Sequence, residues 1–127
     1  MKKILVIERD NDVNDVLELV VKDLNAEFLG SQHLLAVHEI AQLAPAVVVI
    51  DHRMPFGFGG DLCKEIKTDP RTKNIKVILI SSYRHISKVA IDSLADGYLR
   101  KPFKAEAITQ TVSKVLCSLD ELVMAVR

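Results

Sequence analysis

Three short runs of this chain are apolar without a break: residues 4–7 (Ile-Leu-Val-Ile), 46–50 (Ala-Val-Val-Val-Ile) and 77–80 (Val-Ile-Leu-Ile). Their β-branched content predicts strands buried on both faces, as in a parallel sheet covered by helices. Weaker runs at 26–29 and 98–100 predict two more strands. Between them a helical period takes over. Val13, Val16, Leu17, Val20 and Leu24 share one helical face, with Asp10 or Asn11 available as N-cap. Leu34, Val37 and Ala41 predict a second helix, Leu62, Cys63 and Ile66 a third, and Ile86, Val89, Ala90 and Ser93 a fourth. The last begins near Lys104 and carries Ile108, Val112, Val115 and Leu119. Strand and helix alternate five times, which predicts an α/β domain of the doubly wound (βα)5 type with a five-stranded parallel sheet.

In such sheets ligand chemistry gathers beyond the carboxyl ends of the strands. Glu8-Arg9-Asp10 follows the first strand and Asp51-His52-Arg53-Met54-Pro55 the third. Ser81-Ser82 follows the fourth and Lys101-Pro102 the fifth. Taken singly, each is an ordinary strand-end residue. Together they bring carboxylates, a hydroxyl and an ammonium to one edge. A carboxylate there can attack a phosphoryl group to give an acyl phosphate. The rest of that chemistry is positioning and charge neutralisation, supplied by a hard cation such as Mg²⁺ and by Lys101, with the Ser81 hydroxyl as a hydrogen-bond donor.

Composition narrows the class. The 127 residues are room for one domain, with no space for an added helix-turn-helix or catalytic output domain. Seventeen Lys and Arg balance seventeen Asp and Glu, so no basic excess invites nucleic acid or a membrane surface. Cys63 and Cys117 match no metal or disulfide spacing. The lysines at positions 2 and 3 precede an apolar run too short for a secretory signal, and a cytoplasmic protein is expected.

The chain resembles the receiver domain of two-component response regulators. The resemblance covers about residues 2–119. It rests on Ile4-Leu5-Val6-Ile7-Glu8, on Asp51-x-x-Met54-Pro55 with Gly59 eight residues after Asp51, on Ile78-Leu79-Ile80-Ser81, and on Gly97-Tyr98-Leu99-Arg100-Lys101-Pro102-Phe103. It implies a flavodoxin-like strand order 2-1-3-4-5. It also implies that Asp51 is the phosphoacceptor of a histidine kinase or phosphotransfer protein, and that Lys101 pairs with the phosphoryl group. Ser81 matches the switch hydroxyl and Tyr98 the aromatic that turns inward with it. Glu8, Asp51 and the backbone carbonyl of Arg53 fall at the family's Mg²⁺ ligands, and Lys101–Pro102 at its cis peptide. The implied output surface, for a downstream protein or a fused output domain, is the face of the fourth helix, fifth strand and fifth helix. Enzymatic activity would extend no further than self-phosphorylation and self-dephosphorylation at Asp51. Arg53 and Tyr83, each two residues beyond a key side chain, are candidates for setting the dephosphorylation rate.

One position departs from the pattern. The second acidic metal-site residue is Arg9, and a guanidinium repels a metal ion. Glu8 and Asp51 are then balanced by Arg9 and Lys101, so the pocket is neutral with no metal. The alternative function is accordingly an atypical receiver acting as a phosphorylation- and Mg²⁺-independent interaction or dimerisation module. A flavin-mononucleotide site is rejected, because acids follow the first strand where a phosphate loop would be needed. Gly57-Phe58-Gly59-Gly60 lacks nucleotide-loop spacing and reads as a flexible turn into the third helix. His33, His38, His52 and His85 lack metal spacing; His52 is expected to face away from the pocket, and Cys63 to be a small core residue.

Ile108, Val112, Val115, Leu119, Leu122 and Val126 form a heptad seam. The receiver domain is assigned to residues 1–119, and 120–127 to a continuation of the last helix. That continuation suits a homodimer or a connector to a further domain.

Overall fold

The computed structural model describes the backbone of residues 1–126 and the side chains of residues 1–117. Strands β1 (Lys3–Ile7), β2 (Glu27–Ser31), β3 (Val47–Asp51), β6 (Lys76–Ser81) and β7 (Gly97–Arg100) form one sheet, and β4 (Arg53–Met54) pairs with β5 (Gly57–Phe58) in a small hairpin. The main sheet is parallel throughout, in the order β2-β1-β3-β6-β7. With the hairpin set aside this is the expected 2-1-3-4-5.

The three continuous apolar runs supply the three inner strands, and apart from the partly buried Ala46, which precedes its strand, their residues are buried on both faces. Alternation splits them between two cores. Ile4, Val6, Val47, Val49, Ile78 and Ile80 pack with Leu17 and Val20 of α1 (Asn11–Asp23) and with Ile108 and Val112 of α5 (Ala105–Val126). Leu5, Ile7, Val48, Ile50, Val77 and Leu79 meet the other three helices. These are α2 (Val37–Leu43) through Ile40, α3 (Gly59–Thr68) through Leu62, Cys63 and Ile66, and α4 (Ile86–Asp92) through Ile86 and Ala90. Each fully buried aliphatic side chain contributes roughly 1.5–3 kcal/mol of transfer free energy, so the two cores fix the strand ends firmly.

Several boundaries differ from the periodicity. Leu34 is not helical: α2 starts at Val37 after Ala36, and Leu34 packs from the preceding loop onto the core. His33 therefore lies outside any helix. Ser93 is the C-cap of α4, and Leu94 follows with φ 64°, which ends the helix. Val16 and Leu19 of α1 are exposed, although Val16 fits the apolar stripe. The flexible turn expected at 57–60 is ordered structure: Gly57 and Phe58 form β5, and Gly59 opens α3. Two-residue strands carry no alternation to read, so nothing in the pattern marks them. The heptad positions Leu119, Leu122 and Val126, and Val123 beside them, have side chains outside the described residues.

Candidate functional site

The strand order reverses beside β1, and the crevice this leaves lies at the carboxyl ends of β1 and β3. Glu8 follows β1 and is fully buried; Asp51 is the last residue of β3 and is 5% exposed. Ser81 closes β6, also buried, and Lys101 follows β7. Each is thus carried by the end of a different strand whose register is set by the cores beneath.

Lys101 joins the two acids. Its Nζ lies 2.9 Å from Glu8 Oε2 and 3.1 Å from Asp51 Oδ2. The other oxygens are held by the backbone. The Asp10 N–H donates to Glu8 Oε1 at 3.1 Å, and the Arg53 N–H donates to Asp51 Oδ1 at 3.1 Å. Ser81 repeats the motif of Asp51: its Oγ accepts the Tyr83 N–H at 3.1 Å, two residues on. The Lys101 N–H donates to the Ser81 carbonyl at 2.8 Å, and the Lys101–Pro102 peptide is cis.

Burial pushes the Glu8 carboxyl above its ordinary value, and the nearby Asp51 adds to the rise; the Lys101 ammonium and the Asp10 N–H hold it back. Lys101 feels desolvation in the opposite sense, yet its hydrogen bonds to Glu8 and Asp51 outweigh this and its net shift is upward. It is a firm cation between two acids.

Asp10 caps α1, accepting the N–H groups of Asp12 and Val13 at 2.8 and 3.2 Å. Arg9 between them is exposed, and its guanidinium makes no hydrogen bond or ion pair among the described residues. The Arg53 guanidinium stacks over the Tyr83 ring, 5.2 Å from its centre, and so bridges the loops after β3 and β6. His52, half-buried, is stacked between Phe58 at 5.2 Å and Tyr83 at 6.4 Å, and its Nδ1 accepts the Gly60 N–H at 3.1 Å. It is a structural residue, and burial lowers its pKa. Tyr98 is 47% exposed and lines a cavity with Ile91, Asp96 and Lys114, so in this structure the ring is on the outer face of β7.

Gly59 matters in a way its spacing alone did not reveal. Its N–H donates to the His52 carbonyl at 2.8 Å, and a Cβ there would overlap the Asp51 carbonyl oxygen and the Ile50 side chain. The start of α3 can lie against the end of β3 only because this side chain is absent.

The family model for the response regulator receiver domain matches residues 4–113. This chain belongs to that family. Among the receiver's curated relatives is the DNA-binding dual master transcriptional regulator RpaA of Synechocystis, 30% identical over 135 residues, with 100% of this chain and 54% of that protein covered. Another is the DNA-binding response regulator MtrA of Mycolicibacterium smegmatis, 27% identical over 117 residues, with 87% of this chain and 49% of that one covered. The chain spans about half the length of these relatives. A solved structure described as a response regulator of Chloroflexus aurantiacus matches with a TM-score of 0.81 at 23% identity, over 91% of this chain and 98% of that one. A likeness at that identity speaks for the fold.

Receiver domains typically bind Mg²⁺. The residues of this receiver do not fit one well. A hard dication wants several free oxygen ligands, but Glu8 and Asp51 are both engaged by Lys101 and Asp10 is spent on the helix cap. Among the described residues no group of three or more His, Cys, Asp or Glu could hold a metal ion. No helix among them is long and apolar enough to cross a membrane.

Proposed function

We propose that this receiver accepts a phosphoryl group on Asp51 from a histidine kinase or phosphotransfer protein and passes that state to a protein-binding face. The observation that carries the reading is the convergence of Glu8, Asp51 and Lys101 from three strand ends, with one ammonium within 3.1 Å of both acids. In the transfer, an Asp51 carboxylate oxygen forms a bond to phosphorus. The bond from phosphorus to the donor's leaving group breaks, and the leaving group keeps the electron pair and takes a proton from solvent. Lys101 stays protonated and faces the new phosphoryl oxygens. The Ser81 hydroxyl, now an acceptor for the Tyr83 N–H, turns to donate to one of them. Freed movement of the β6–α4 loop then lets Tyr98 leave the outer face, which changes the surface of α4, β7 and α5. That surface is where a downstream protein, a fused output domain or a second copy docks.

Arg53 and Tyr83 stand as a stacked pair at the rim. Their place suits control of water access to the acyl phosphate, and hence of the dephosphorylation rate. An apolar cavity of about 420 Å³ lined by Val13, Val16, Pro102 and Phe103 opens beside Lys101 and gives a phosphodonor protein a surface to rest on. Kinases of this kind present their phosphohistidine on the cytoplasmic side, which supports that location. The extension at 120–127 serves dimerisation or connection in the same reading.

Incubation with acetyl phosphate, with and without Mg²⁺, tests this. One phosphoryl adduct by intact mass, absent from Asp51→Asn, is the expected result. No adduct under either condition, and none from a mixture of histidine kinases, would leave the phosphorylation-independent module as the better account.

A further inference from the structure

The charge pattern of the pocket decides which kind of ligand it admits. All four oxygens of Glu8 and Asp51 already have protein donors: the Asp10 and Arg53 N–H groups on one oxygen each, and the Lys101 ammonium on the other two. A divalent cation would have to displace that ammonium from two buried acids at once. Asp10, two residues after Glu8, is turned to the N-terminus of α1, where it holds two N–H groups. Arg9 follows Glu8 directly in the chain and is exposed, and its guanidinium makes no hydrogen bond or ion pair among the described residues. Two acids and two bases leave the pocket balanced. A dication would make it strongly positive, whereas phosphorylation exchanges the single charge of the Asp51 carboxylate for the charge of about −1.5 to −2 on the phosphoryl group, a modest net gain of negative charge that two cationic side chains can meet.

Resting on the reading of Asp51 as phosphoacceptor, we infer that this receiver holds its phosphoryl group without a divalent cation, with Arg9 taking the metal's place beside Lys101. The guanidinium is suited to the task. It is always charged and presents paired N–H donors that match phosphate oxygens. It also explains why a cation can follow Glu8 at all: in a pocket meant for Mg²⁺, Arg9 would repel the ligand the pocket requires.

Two measurements on the full chain separate this from the reading beneath it. The first is a Mg²⁺ titration followed by amide NMR shifts at residues 8–10 and 51–53. The parent is expected to show no saturable change at millimolar Mg²⁺, and Arg9→Asp to acquire one. The second is binding of beryllofluoride, a phosphoryl mimic, followed by its fluorine signal in Mg²⁺ or in EDTA. The parent should bind equally well in both. Arg9→Gln should weaken binding in EDTA by about tenfold, the worth of one charge-assisted hydrogen bond, and Arg9→Asp should make binding depend on Mg²⁺. Saturable Mg²⁺ binding by the parent, or a tenfold gain in its beryllofluoride affinity with Mg²⁺ (about 1.4 kcal/mol), overturns the inference and leaves phosphorylation at Asp51 standing. Failure of beryllofluoride to bind the parent and Arg9→Asp under every condition overturns the phosphoacceptor reading itself, and the role of Arg9 falls with it.

Discussion

Replacing Lys101 by Met leaves two buried carboxylates facing each other without their cation. The side chains of Glu8 and Asp51 are 0% and 7% exposed and that of Lys101 20%, so water cannot simply take over the ammonium's place. At about 3 Å and an effective dielectric near 20, each contact carries roughly 5 kcal/mol of attraction before desolvation is subtracted. Removing one partner from such a cluster typically costs about 3–5 kcal/mol, and the partial exposure of Lys101 places the expected loss near 3 kcal/mol at pH 7. The loss must also depend on pH in a definite direction. Without the ammonium, burial and Asp51 raise the folded-state pKa of Glu8 further above its unfolded value of 4.5. A raised carboxyl is tolerated below the unfolded pKa and becomes a liability as pH rises through the folded one, at up to about 1.4 kcal/mol per pH unit. The difference between parent and Lys101→Met should therefore shrink to about 1 kcal/mol at pH 5. Urea unfolding followed by circular dichroism at pH 5, 6 and 7 measures it, and effects of other groups cancel between the two proteins. A loss that is the same at all three pH values, or below about 0.5 kcal/mol at pH 7 as for an exposed ion pair, would refute the coupling of the three residues.

Three further outcomes are expected. Gly59→Ala should lower the melting temperature through a loss of about 2 kcal/mol or more, because the new methyl meets the Asp51 backbone and not a flexible side chain; an unchanged melt would contradict the close approach. Burial lowers the His52 pKa below 6.5, so the unfolded state takes up a proton that the folded state resists, and stability should fall as pH drops below about 6.5. His52→Gln should remove that part of the slope, and a slope identical to the parent's would show that His52 is not its source. Cys117 is exposed, whereas Cys63 is buried and its thiol is pushed up to about 12. A thiol reagent at pH 8 should therefore label one cysteine at once and the other only through unfolding, and a single fast phase for both would sink the prediction.

The inner strands were readable because burial on both faces leaves a signal that periodicity cannot imitate: 4–7, 46–50 and 77–80 all lie within or overlap observed strands. The edge strands β2 and β7 left weaker signals, since they are only partly covered. Looking beyond strand ends then located Glu8, Asp51, Ser81 and Lys101 without any knowledge of distance. What the linear pattern could not carry is how these side chains pair. That Lys101 spans both acids depends on the stagger of three strands, and spacing along the chain does not encode it. The ring stack of Phe58, His52 and Tyr83 was equally hidden, because it joins the hairpin to a loop from the neighbouring strand. Leu34 misled for the converse reason: a leucine at helical spacing is as easily buried from a loop.

The lysine that completes the pocket lies 50 positions after Asp51 and 93 after Glu8. A chain made from its N-terminus exposes both acids well before the strand that delivers their cation exists. Until β7 settles on β6, the two carboxylates face each other without their shared cation. Completion of the sheet and assembly of the pocket are therefore one event. On the proposed reading of Asp51 as phosphoacceptor, a receiver whose β7 is not yet in place lacks the ammonium that would meet the phosphoryl group.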